Sequence, residues 1–287
     1  MTLSFASFSV KMPSISFVVT SYNHPERLET CLQSIRQSIY QNYEIIVSDD
    51  GSSDIRNSKL AKKYGAKWVT GDRLYINNVS TRNLPAVFNR AWPLCEGEVI
   101  QTLQQDHVVA PDFGLWLART FAPQYLMIGA TDQTAHEFTQ RDLDALLLAL
   151  HVPDGEVRFM SSMFSGRRTL IELLDWRQMD GLDLAFWKGH VEPLDEKMYG
   201  NGHYWMDFIF RLGLKGLHFT FNPMMRLWNV THSSTFYTEE PWQEQVSAGY
   251  DYMKEKWGEG IWQTMPVAVV DFKARADELR RERGLWK

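Results

Sequence analysis

Cysteine is scarce. Cys31 and Cys95 are the two in 287 residues, too few for a disulfide framework, and each falls in an apolar stretch of helical spacing, so both read as buried reduced thiols. No apolar run approaches the roughly 20 residues that span a bilayer. The opening MTLSFASFSVKM lacks the basic leader and continuous apolar core of a secretory signal. Residues 1–13 are therefore expected to be a short extension of a cytoplasmic protein without a transmembrane segment. Basic excess is missing too: a formal charge of −5 excludes extended nucleic-acid binding by charge alone, leaving room only for a local basic groove. Internal repeats and low-complexity linkers are also lacking. With 44% hydrophobic residues, the chain has enough apolar material for one large or two closely packed domains.

What is present is an alternation of buried strands and amphipathic helices. Ser14 to Thr20 is a continuous apolar run of strand length, ending in Ser21-Tyr22-Asn23-His24-Pro25, with the proline placed to begin a helix. Leu28, Cys31, Leu32 and Ile35 recur at helical spacing between Glu26 and Ser38. A second strand, Glu44 to Ser48, closes on Asp49-Asp50-Gly51-Ser52-Ser53-Asp54, and two strands joined by a helix make a right-handed βαβ unit. A helix at 55–64, a strand at 66–69 and a helix containing Arg82 and Asn83 are expected to continue the pattern. Val99 to Leu103 is then the next buried strand. It stops at Gln104-Gln105-Asp106-His107.

Ligands of open α/β sheets bind beyond the carboxyl ends of the strands, so this polar cluster lies where chemistry is expected. Asp106 and His107 are an oxygen and a nitrogen ligand side by side, suited to a divalent cation carrying a diphosphate; the plain alternative is a solvated strand-ending turn. Asp49 and Asp50 can accept hydrogen bonds from a base N–H or from ribose hydroxyls. The same residues are equally ordinary turn and helix-cap chemistry. Arg82 suits a phosphate or a surface salt bridge.

Taken together, SFVVTSYNHPERLETCLQSI, YEIIVSDDGSSD, STRN and GEVIQTLQQDHVVAPDF come in the order of the "TYN", "DDGS", "ARN" and "DxD" motifs. In this the chain resembles the inverting family 2 glycosyltransferases with the GT-A fold, well over residues 14–113 and more loosely to about 235. The resemblance implies a Rossmann-like, mostly parallel sheet flanked by helices. It divides the chain into a nucleotide-sugar-binding half at 14–112, an acceptor-binding half at 113–235 and an aromatic-rich helical extension at 236–287. It implies that Thr20, Tyr22, Asn23, Asp49, Asp50, Arg82, Gln104, Gln105 and Asp106 bind a UDP-sugar or another nucleoside-diphosphate sugar. Asp106, with His107 and His232, would hold Mn²⁺ or Mg²⁺. The sequence departs from the pattern at the first acid of the DxD, which is Gln104, a weaker neutral ligand.

Leu194-Asp195-Glu196 matches the family's "FDE" turn, and Arg211 to Gly216 its helix end. The Glu-Asp pair that usually supplies the general base is replaced by Tyr204 and Trp205. Asp207 is the nearest carboxylate and the expected base, with His203 on the same helical face as alternative or partner. Asp207 and Arg211 are also spaced to pair simply on the helix surface. The expected activity is metal-assisted transfer of a hexosyl or pentosyl group, with inversion, to a hydroxyl of a glycan, lipid-linked sugar, protein or modified nucleobase. The competing expectation is a catalytically inactive nucleotide-sugar-binding module. A nucleotidyltransferase is disfavoured because no glycine-rich basic loop follows the first strand.

Overall fold

In the computed structural model the described residues are 12–76, 79–120, 125–131, 184–199, 204, 205, 207, 208, 211, 218–229 and 240–258. The chain begins with β1 (Ile15–Ser21), α1 (Pro25–Arg36), β2 (Tyr43–Asp49), α2 (Arg56–Lys63) and β3 (Lys67–Thr70). A small hairpin follows, β4 (Leu74–Ile76) with β5 (Val79–Thr81), then α3 (Leu84–Ala91) and β6 (Val99–Gln104). Beyond these lie β7 (His107–Val109), α4 (Phe113–Thr120), β8 (Tyr125–Thr131), β9 (Leu184–Trp187), β10 (His218–Asn229) and α5 (Glu240–Trp257).

Eight strands form one sheet in the order β3-β2-β1-β6-β9-β8-β10-β7. β1 runs parallel to both β2 and β6, with Val18 opposite Ile46 on one side and Thr102 on the other. Because Ile15, Phe17, Val18 and Val19 are all essentially inaccessible to solvent, both faces of β1 are covered, which explains its unbroken apolar run. α1 covers one face through Leu28, Cys31, Leu32 and Ile35, all buried. Chain order moves outward from β1 to β2 and β3, then returns to β6 on the other side of β1. The sheet therefore has a topological switch point between the ends of β1 and β6, where crevices open in folds of this kind.

Four differences from the sequence reading have local causes. Arg82 and Asn83 precede α3 instead of lying in it, because the Asn83 side chain caps the helix by accepting from the Ala86 N–H at 3.3 Å. β10 runs past the strand-like sequence Leu217 to Phe221 and through Pro223 to Asn229; its register with β8 shifts between Asn222 and Arg226, which accommodates the proline as an irregularity. His107 is not in a solvated turn but begins β7, where it pairs with Asn229 and is 1% exposed. β9, which no sequence signal marked, inserts antiparallel between β6 and β8, so strands from both expected halves share one sheet. Cys31 and Cys95 are both free and buried, as expected, although Cys95 follows a single 3-10 turn instead of lying in a helix. Burial pushes the Cys95 thiol up to about 12.

Among the described residues no helix is long and apolar enough to cross a membrane. His203 and His232 lie outside the described residues.

Candidate nucleotide site

Three turns meet at the carboxyl ends of β1, β2 and β6. The first is tied to the third by Gln105, whose amide accepts from Tyr22 N at 3.1 Å and donates to Tyr22 O at 3.0 Å. Gln105 N also donates to Thr20 O at 3.0 Å. A single side chain thus spans the switch point and fixes both backbone groups of Tyr22. Gln105 and the buried Thr20 shape this turn from within.

The first turn is held to the second by Asn23. Its Oδ1 accepts from Ser53 N at 3.1 Å and Ser53 Oγ at 3.2 Å, and its N–H donates to Ser52 Oγ at 2.7 Å. Asn23 and His24 both sit in the left-handed region, at φ 49 and 51. Two consecutive non-glycine residues there persist only where surrounding contacts over-determine them, and such strain clusters at functional sites.

Asp49 is the buried centre of the second turn. Its carboxylate accepts from Ser21 Oγ at 2.8 Å, Ser52 Oγ at 2.5 Å, Ser52 N at 2.7 Å and Thr70 Oγ1 at 3.1 Å. All four donors belong to the chain and the residue is 1% exposed, so this carboxylate shapes the turn instead of facing a ligand. Replacing Asp49 by alanine should cost about 3 kcal/mol, since several hydrogen bonds at roughly 1 kcal/mol each are lost. Asparagine should cost about half as much. Denaturant unfolding of the two variants checks this; undiminished stability with a selective loss of nucleotide affinity would instead indicate direct reading of a base.

Asp50 points another way. It is 3% exposed and paired with Arg73; burial pushes its carboxyl up, against the opposing charges of Arg73, Arg90 and Arg82. Gly51, at φ +76, is needed both for its left-handed backbone and for space, because a Cβ there would lie 2.7 Å from Arg73 N.

The third turn carries the candidate metal ligands. Gln104 Oε1 accepts from an Arg82 guanidinium nitrogen at 2.6 Å. His107 Nδ1 accepts the Gln104 N–H at 3.1 Å, which uses one ring nitrogen as a turn-closing acceptor and leaves the proton of the neutral ring on Nε2. A lone pair for a cation is therefore lacking on either His107 nitrogen in this tautomer. That ring reads as a structural residue here, buried in β7 and closing the turn through the Gln104 N–H. Asp106 differs. Its Oδ1 is buried with no hydrogen-bond partner and stands 3.9 Å from His107 Nε2. A buried carboxylate oxygen without a donor is costly unless something else satisfies it. Asp106 thus fits a divalent cation. Among the described residues no group of three or more His, Cys, Asp or Glu could hold one; phosphate oxygens and water commonly complete the coordination of Mg²⁺.

The expected base lies elsewhere in the chemistry of the fold. Asp207 is 0% exposed and bonded to Arg211 Nε at 2.9 Å, Trp257 Nε1 at 2.9 Å and Lys256 Nζ at 2.8 Å. Lys256 also reaches Asp195 at 2.7 Å and Arg211 reaches Glu192 at 2.7 Å, so α5 is clasped onto the Leu194-Asp195-Glu196 turn. Asn89 of α3 holds the other side of that turn, exchanging hydrogen bonds with Leu194 N and O at 2.7 and 2.9 Å. Tyr204 and Trp205 are buried against Phe88, with ring centroids 6.4 and 5.1 Å away. The two positions where a Glu-Asp pair was sought are core. Asp207 acts as a structural anchor in this conformation, buried and bonded by three side chains of the protein.

Sequence reasoning missed Arg73. It lies in a short loop with no pattern of its own, and only its position in the fold gives it meaning.

Comparison with known proteins agrees with this arrangement. Residues 16–140 match the family model for glycosyl transferase family 2. The Bacillus subtilis protein EpsH, named as a glycosyltransferase, is 24% identical over 158 residues, covering 55% of this chain and 45% of its own length. EpsE of the same organism, similarly named, is 30% identical over 99 residues, covering 34% of this chain and 35% of EpsE. The chain spans less than half the length of these relatives. Glucosyl-3-phosphoglycerate synthase from Mycobacterium tuberculosis, crystallised with Mn²⁺, UDP and glucosyl-3-phosphoglycerate, superimposes with a TM-score of 0.51 at 18% identity. That superposition covers 82% of this chain and 78% of the synthase and shows a shared fold. Over residues 16–140 the chain is thus similar to glycosyl transferase family 2, and it shares the GT-A fold.

Proposed function

We propose that this protein transfers a sugar from a nucleoside-diphosphate donor to an acceptor hydroxyl, with inversion, using the crevice between β1, β2 and β6. The observation that carries this reading is the buried, unpartnered carboxylate oxygen of Asp106 at the switch point of the sheet. Asp106 would hold a divalent cation, Mn²⁺ or Mg²⁺, which when bound neutralises charge growing on the departing diphosphate. Arg82, reaching the same turn through Gln104, adds positive charge beside that place. Tyr22, whose backbone Gln105 fixes, offers an aromatic face for a base. Asn23, Asp49 and Gln105 pre-organise the three turns, so little ordering remains to be done when the donor binds.

UDP-glucose with Mn²⁺, both ligands in crystals of the synthase of the same fold, is the first donor and metal to test. Release of free sugar from UDP- or GDP-sugars, followed across an acceptor panel, checks the reading. Metal-dependent release supports a transferase.

A second reading is favoured by one observation: Asp207 is locked in a buried clasp and Tyr204 and Trp205 are core. On that reading the chain binds nucleotide-sugars without turning them over. Binding with no release across the whole donor and acceptor panel would select it.

A further inference from the structure

Arg73 lies with its guanidinium carbon 4.0 Å from the centroid of the Tyr22 ring. It pairs with Asp50, their side chains being 6% and 4% exposed, and its Nε donates to Ser80 Oγ at 3.0 Å on β5. We propose that Arg73 stands in for a nucleobase, and that nucleotide binding requires its displacement from Tyr22 and Asp50. This rests on the reading of the crevice as a nucleotide site.

The resemblance is one of shape and bonding. A guanidinium is planar, weakly hydrated, stacks on aromatic faces and presents N–H edges to a carboxylate. A uracil or guanine ring stacking on Tyr22 and donating an N–H to Asp50 would need the same ring face and the same oxygens. The two occupants exclude each other. Gln105 fixes the Tyr22 backbone through its N–H and its C=O, so the ring stays at this end of the sheet and both occupants would need its same face. Nor can the loop slide inward, because the Gly51 turn already packs against the Arg73 backbone. Release therefore moves outward, through the β4–β5 hairpin that Arg73 anchors by Ser80.

Charge supports the exchange. Asp50 faces Arg73, Arg82 and Arg90 together, so it keeps cationic neighbours after Arg73 leaves. The released guanidinium stays on the hairpin above the crevice, where an anionic diphosphate would lie. The nucleotide thus competes with a side chain of the protein, and its apparent affinity is reduced by the fraction of molecules in which Arg73 remains seated.

The test is calorimetric titration of UDP and of GDP, with Mn²⁺, into the wild-type protein, Arg73→Gln and Arg73→Lys, which loses the planar stacking group but keeps a cation beside the buried Asp50 should the glutamine variant fold poorly. Nucleotide should bind both variants roughly tenfold more tightly than wild type, by removal of the competing conformer. In the wild-type protein, UDP should increase amide hydrogen exchange in the hairpin at 74–81, the reverse of ordinary ligand protection. Unchanged or weaker binding in the variants, or protection of the hairpin by UDP, overturns the proposal while leaving the nucleotide site in place. Absence of any nucleotide binding to the wild-type protein overturns both.

Discussion

Replacing Asp207 by alanine is expected to destabilise the protein by about 3 kcal/mol, the lower end of the range for breaking a buried ion pair, since both cationic partners are partly exposed. The buried carboxylate bonds Arg211, Lys256 and Trp257, and its loss leaves two cations and an indole N–H to find other partners. Asp207→Asn keeps the volume and one acceptor and should lose less. Both should fall in urea midpoint, and α5 should become more open to proteolysis. A catalytic base would behave oppositely: its asparagine variant would keep its stability and lose turnover.

The pH dependence of the clasp follows from the same contacts. Burial alone pushes Asp195 up, but the bonds from Lys256, the Lys197 N–H and Tyr252 bring it below its ordinary value. Its contribution is present above the ordinary carboxylate range and is lost as pH falls through the lowered pKa. Burial pulls Lys256 down, but Asp195 and Asp207 outweigh that and raise it. Its share is present below the ordinary lysine range and is lost as pH rises through the raised pKa.

The nucleotide half was legible because its elements are locally encoded. β1, β2 and β6 are β-branched runs bounded by turn residues, and α1 declares itself by Pro25 and by apolar spacing. The roles of side chains at the ends of those strands were less legible, because they depend on which turns meet. Ser52 sits three residues from Asp49, as ordinary turn chemistry allows, but Ser21 and Thr70 reach it only across the sheet. The spacing of Asp207 and Arg211 announced a pair, and the structure contains it. Nothing local announced Trp257, 50 residues away, which with Lys256 turns a surface pair into a buried anchor. The setting of His107 was hidden for a related reason. Beside Asp106 it suggested a metal ligand, and only pairing with β10 shows that the ring is buried with one nitrogen accepting a backbone N–H.

Asp106→Ala should have the largest effect on ligand binding and almost none on the fold. Its Oδ1 has no hydrogen-bond partner, so removing the carboxylate breaks no bond at that atom, and stability should stay within about 0.5 kcal/mol of wild type. Donor affinity should fall at least about tenfold, the scale on which weakened metal sites lose affinity. The decisive measurement is calorimetric titration of UDP into wild-type protein and Asp106→Ala, each with and without Mn²⁺. A crevice built around Asp106 predicts tight binding only for wild type with Mn²⁺. Equal affinity in all four titrations would contradict it.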